Sequence, residues 1–155
     1  MIRRNLLAAA AVGLFAFTAA AGSASAQRAA VSSSEVNGTF RMNFRGAYRK
    51  FYNTIDVLAL GKGKIRVALD LTYPYRLKNG EEMANMGSLD AVADIKGDRA
   101  TWTSEDGLCT ITFHFVRPGL LKVEQSGSDG ECGFGHNVSA AGTYRKVSSK
   151  KPKFQ

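Results

Sequence analysis

No stretch of this chain spells a catalytic, cofactor or metal motif, and the side chains that usually build one are scarce: it has two histidines and two cysteines. Without a paired set of carboxylates, a metal cluster or a credible triad, no reaction can be named, and the expectation is a non-enzymatic protein with no cofactor and no metal. No apolar run reaches the roughly 20 residues a helix needs to cross a bilayer. That argues against a transmembrane helix in the mature chain. Negative charge is also short, with 13 acidic residues against 21 lysines and arginines and no acid after Glu131.

What is present begins with a leader. Arg3 and Arg4 make a basic start, residues 6–21 an alanine-rich apolar stretch, and Ala24-Ser25-Ala26 an A-x-A cleavage site, the pattern of a secretory signal peptide. The mature chain is expected to begin at Gln27, in the periplasm or outside the cell. No cysteine stands at the cleavage point, so no lipoprotein anchor is expected. The Arg-Arg-Asn-Leu-Leu opening imitates part of a twin-arginine signal without the rest of it, which leaves Sec-type export as the default. Loss of Arg3 and Arg4 takes the formal charge from +8 to +6, with 19 basic side chains facing 13 acidic ones. Export makes nucleic acid a poor partner for this charge. Anionic envelope material, such as lipid headgroups or acidic glycans, is a better one, through a field that salt screens.

The mature chain reads as one domain: a signal peptide over residues 1–26, a flexible lead over 27–35, a β-barrel over 36–147 and a basic disordered tail over 148–155. Residues 36–45 alternate, with Phe40, Met42 and Phe44 on one face. Residues 46–53 are aromatic and basic together and read as a helical turn or wide loop. Residues 54–60 and 64–73 flank Gly61-Lys62-Gly63, a hairpin signal. The second arm puts Ile65, Val67, Leu69, Leu71 and Tyr73 on one face; in the first, Leu58 and Leu60 compete with Ile55, Val57 and Ala59 for the inside. Pro74 and Asn79-Gly80 break residues 74–86 into a long loop or short side hairpin. Further strands follow at 88–95, 99–103, 108–116, 120–125 and 138–147.

Eight short strands with turn signals between them predict an all-β fold, a single antiparallel and mostly up-and-down barrel whose closure removes exposed edges. Gly38-Thr39-Phe40 and Gly142-Thr143-Tyr144 would be neighbours if it closes. The inward alanines Ala91, Ala93 and Ala100 hint at room for an internal ligand, whereas the phenylalanines and Trp102 would use it up.

Cys109 and Cys132 are an even pair in an exported chain, and an oxidising compartment favours their disulfide. Zinc on Cys109, His114, Cys132 and His136 is the competing arrangement. His114 lies an odd five positions after Cys109, so a regular strand points the two to opposite faces, and His114 is read as an exposed strand residue. His136 beside Ser126, Ser128 and Asp129 offers the residue types of a hydrolase without a nucleophile elbow. The structural reading of the same turn is that Phe134 plugs the barrel end and Asn137 hydrogen-bonds its own turn.

The segment C-G-F-G-H-N-V followed by G-T-Y resembles the ending of small exported bacterial β-barrel proteins of no assigned activity. The general plan is similar to calycin-type barrels and to exported lysozyme inhibitors. Of the inhibitors' serine and glycine loop, only Ser126-Gly127-Ser128-Asp129-Gly130 is present. The expected function is therefore a periplasmic or secreted small binding protein whose barrel-mouth loops carry recognition, with inhibition of an envelope-attacking hydrolase such as lysozyme as the alternative. A basic chain would be repelled by the generally basic lysozymes. The expected ligand-binding residues are Tyr48, Arg49, Tyr52, Tyr73, Tyr75, Arg76, Met83 and Met86, because aromatic faces and cationic heads suit an anionic or sugar-bearing ligand, or a protein partner, and methionines adapt to irregular shapes.

Overall fold

In the computed structural model, which describes residues 30–154, eight antiparallel strands follow one another around a closed barrel. They are β1 (Gly38–Asn43), β2 (Tyr52–Gly61), β3 (Lys64–Arg76), β4 (Glu82–Lys96), β5 (Arg99–Thr103), β6 (Thr110–Arg117), β7 (Leu120–Ser126) and β8 (Gly142–Ser148). Each pairs with the next, and β8 closes on β1. The expected leader over residues 1–26 lies outside the described residues. Among the described residues, no helix is long and apolar enough to cross a membrane.

Period-two alternation places the core. Ile65, Val67, Leu69 and Leu71 of β3 and Ile111, Phe113 and Phe115 of β6 are buried inside, and the β2 ambiguity resolves toward Ile55 and Val57, leaving Leu60 half exposed. Phe40 meets Phe115 edge to face, with ring centroids 6.1 Å apart. Side chains fill the lumen. Tyr144 is fully buried and its hydroxyl donates to the Ala140 carbonyl at 2.9 Å, and burial pushes that phenol well above its usual range.

The first strand is shorter than the alternation over 36–45 implied. Residues Ser33–Val36 form a turn of helix, α1, because Ser32 and Glu35 make a reciprocal capping box. Val36 is thereby buried at one end of the barrel. Lys146 secures it: the ammonium donates to the carbonyls of Ser34, Glu35 and Asn37 at 3.0, 2.6 and 2.9 Å.

Residues 74–86 are neither a long loop nor a separate hairpin. β3 and β4 run on together to Arg76 opposite Glu82, leaving only residues 77–81 as the turn. Pro74 is a strand residue, contrary to its reading as a breaker. The Thr72 amide points to the β2 side, where the Asn53 side chain accepts it, and amide direction alternates, so the Pro74 nitrogen faces the same side. Pairing of β2 with β3 ends at Asp70, so no β2 residue pairs opposite Pro74, which is buried, and no ladder bond is lost.

The last strand also differs from expectation. Only Gly142–Ser148 pairs, and residues 127–141 form a long connection, so the stretch expected as strand over 138–147 begins as loop. β1 and β8 are neighbours, but Phe40 stands opposite Lys146 rather than Tyr144. The two Gly-Thr-aromatic segments are therefore offset.

Candidate functional site

The barrel end opposite α1 carries the connections over residues 44–51, 77–81, 104–109 and 127–141. The last of these crosses it. Cys132 in this connection is joined to Cys109, just before β6, by a disulfide, and Phe134 and Val138 are buried beneath the loop. Gly87 of β4 makes room for them: a Cβ there would lie 2.9 Å from both Phe134 Cδ1 and Val138 Cγ1. The loop thus plugs this end of the barrel. Its edge is stitched to the extended hairpin by Gly135 N–H to Met86 O at 3.0 Å and by the Asn85 amide to His136 O at 2.7 Å.

Between hairpin and loop lies a cleft of about 520 Å³ lined by Tyr73, Tyr75, Asn85, His136 and Asn137. Tyr73 and Tyr75 share the face of β3 that continues the core alternation beyond the lumen, and Tyr73 pairs across to Asn85. Tyr73 remains 39% exposed where it lines the cleft. On the loop side, Asp129 organises the backbone. It accepts the amides of Asn137 and Gly130, which hold its carboxyl below the usual carboxylate range, and His136 Nδ1 stands 3.6 Å from it. Asn137 takes a left-handed backbone, φ 62°, a conformation asparagine tolerates better than most residues.

The residues expected to bind ligand separate into groups. Tyr73 and Tyr75 meet in the cleft. Arg76 is spent on Glu82 at 2.7 Å, where Lys50 also binds, and those two cations, Lys50 foremost, lower the Glu82 carboxyl. Tyr48 of the 3-10 turn Gly46–Tyr48 packs on Phe51 with centroids 6.4 Å apart, and Arg49 is exposed beside it. Tyr52 lies under the Arg41 guanidinium, 4.2 Å from ring centroid to carbon. Met83 and Met86 are exposed, and neither lines the cleft.

Asn85, His136 and Asn137 were not among the expected binding residues. Asn85 and His136 are 51 positions apart, and no local pattern brings them together; the only long-range signal was the cysteine pair that ties the loop down.

The competing chemistries can be placed as well. Ser128 directs both its hydroxyl and its amide to Glu131, at 2.9 and 2.6 Å, so it does not face His136 as a nucleophile would face its base. His114 is not simply exposed as expected: it is half-buried on the strand with Nε2 3.3 Å from the buried Asp98 carboxylate. With both cysteines in the disulfide and His114 engaged elsewhere, the two-cysteine, two-histidine set does not converge. No protein-family model matches the chain, and no curated protein or solved structure is significantly similar to it.

Proposed function

We propose that the protein is an exported, non-enzymatic binding protein of the periplasm or extracellular space, in which the barrel is scaffold and the Tyr73–Tyr75 cleft takes a sugar-bearing ligand. The observation that carries this reading is the pairing of two tyrosines on a rigid hairpin with amide and imidazole groups on a disulfide-tied loop. Aromatic faces cover the C–H surface of a sugar ring, while amides and an imidazole satisfy its hydroxyls. A mostly apolar concavity with a few convergent polar groups is the usual form of a small-ligand site. Export is supported by the leader pattern and by a disulfide that an oxidising compartment would preserve.

The test is calorimetric titration of the oxidised protein with a panel of neutral and acidic oligosaccharides, alongside Tyr73→Ala and Tyr75→Ala. Each substitution is expected to weaken the best binder at least about tenfold, roughly 1.4 kcal/mol, with the circular dichroism spectrum unchanged. Parent-like affinity in both folded variants would remove the cleft as the site.

A further inference from the structure

β1 and β8 share only three paired positions, Thr39 with Ser148, Phe40 with Lys146 and Arg41 with Arg145. Beyond Arg41 they part. The space between residues 41–45 and 143–147 is a groove of about 900 Å³ in the barrel wall. Its lining holds Arg41, Arg45, Arg145 and Lys146 and no carboxylate. Lys146 is committed to the carbonyls under α1, but the three arginines are not committed to anything of opposite sign: none makes an ion pair among the described residues.

Outward-facing arginines usually spread apart or find acids, because like charges brought together raise the energy of the fold. Here the strand register brings them together. Arg41 and Arg145 are directly opposed across the β1–β8 ladder, and Arg45, two residues past the end of β1, lines the same groove. Arg41 is also fixed in place: Tyr52 stacks beneath its guanidinium, and its Nε is shielded from water with no hydrogen-bond partner. A guanidinium that is already oriented and partly dehydrated loses less on binding an anion than a free one.

We propose that this groove is an oxyanion site for a phosphate monoester, held by Arg41, Arg45 and Arg145 and separate from the tyrosine cleft. A single carboxylate offers two oxygens and one charge, which one or two guanidinium forks satisfy. A phosphate offers more oxygens and up to two charges, which suits three forks converging without a counter-charge. Asn43 and Thr143, also in the lining, supply neutral donors. The ester can come from a soluble molecule or from a lipid headgroup, and the chemistry at the groove is the same.

The experiment uses the full oxidised chain, with inorganic pyrophosphate in calorimetry and phosphatidic acid against phosphatidylcholine vesicles in co-sedimentation. The variants are R45A/R145A, both at exposed positions, and K150A/K151A/K153A, which removes tail charge and leaves the groove intact. Pyrophosphate binding that falls at least about tenfold in the arginine variant and persists in the tail variant supports a soluble ester. Selective binding to phosphatidic acid vesicles, without pyrophosphate binding and with the same variant pattern, supports a headgroup. The proposal is overturned if the parent binds neither probe, if R45A/R145A binds as well as the parent with an unchanged melting temperature, or if the tail variant alone abolishes binding. Because R45A/R145A leaves Tyr73 and Tyr75 untouched, oligosaccharide titration of the same variant separates failure here from failure of the cleft reading.

Discussion

Replacing Gly87 by alanine tests whether the plug over the barrel end is packed as described. The added Cβ would stand 2.9 Å from Phe134 Cδ1, 2.9 Å from Val138 Cγ1 and 3.0 Å from Phe134 Cβ, whereas carbon atoms at rest sit roughly 3.5–4.0 Å apart. Phe134 and Val138 are 7% and 1% exposed, so neither can swing into water without losing buried area. Cys132, two residues before Phe134, is anchored to Cys109, which restrains the loop from drifting outward as a unit. Overpacking of this kind costs about 1–3 kcal/mol, less about 0.5–1 kcal/mol because alanine gives up less backbone entropy than glycine. A net loss of about 0.5–2 kcal/mol is expected, read as a lower urea midpoint at unchanged slope with the disulfide intact. Phe134→Ala by itself should cost about 3–5 kcal/mol. In that background the Gly87→Ala penalty should shrink, because the vacated ring volume receives the new methyl, giving a coupling of at least about 0.5 kcal/mol. Equal penalties in the two backgrounds, or a single variant with the parent's midpoint, would refute the packing argument.

Three further outcomes follow from the same geometry. C109A/C132A should stay a barrel but lose about 3 kcal/mol, the chain-entropy value for a crosslink at a sequence separation of 23; denaturation that matches the oxidised parent would contradict it. Lys146→Met keeps an unbranched apolar stem but removes the ammonium that lies over the Phe40 ring and donates to three carbonyls, and should cost about 1–3 kcal/mol, with faster amide exchange at Glu35–Asn37 as the local signature and unchanged exchange there as the failure. Acid should loosen the plug: Asp129 and Glu131 are held below the ordinary carboxylate range by backbone amides, Asn137 N–H first for Asp129 and Ser128 N–H first for Glu131. Because each titrates lower folded than unfolded, its contribution is complete above the unfolded value and is lost as pH falls through the folded one. Exchange protection at the Asn137 and Ser128 amides, corrected for intrinsic rates, should therefore hold at neutral pH and decline only in strong acid; loss near neutrality would contradict the assignment.

How much of this was legible beforehand depends on the range of the interaction. β3 and β6 could be read directly, because inward residues recur at every second position and their burial needs only one apolar face. The capping box at Ser32 and Glu35 is equally local, and in the sequence it competes with the alternation that begins at Val36. Pro74 reads as a breaker in the sequence yet sits in a strand, because whether a proline breaks a strand depends on the neighbour it faces, and that neighbour, β2, has already stopped pairing at that height. Tyr73 and Tyr75 could be nominated together since they share a strand face. Asn85, His136 and Asn137 could not be added, because what sets them beside the tyrosines is the path of a disulfide-tied loop.

Residue order alone determined the all-β class, the number of strands, their up-and-down succession and the cysteine pair, since alternation, turn chemistry and cysteine count are properties of short segments or of composition. Tertiary structure decided where strands end, which arginines converge and which side chains line a cleft. Those are set by register and by contacts between segments far apart in the chain: the β1–β8 ladder brings Arg41 against Arg145, and the plugging loop sets His136 beside Tyr73. No local preference encodes either.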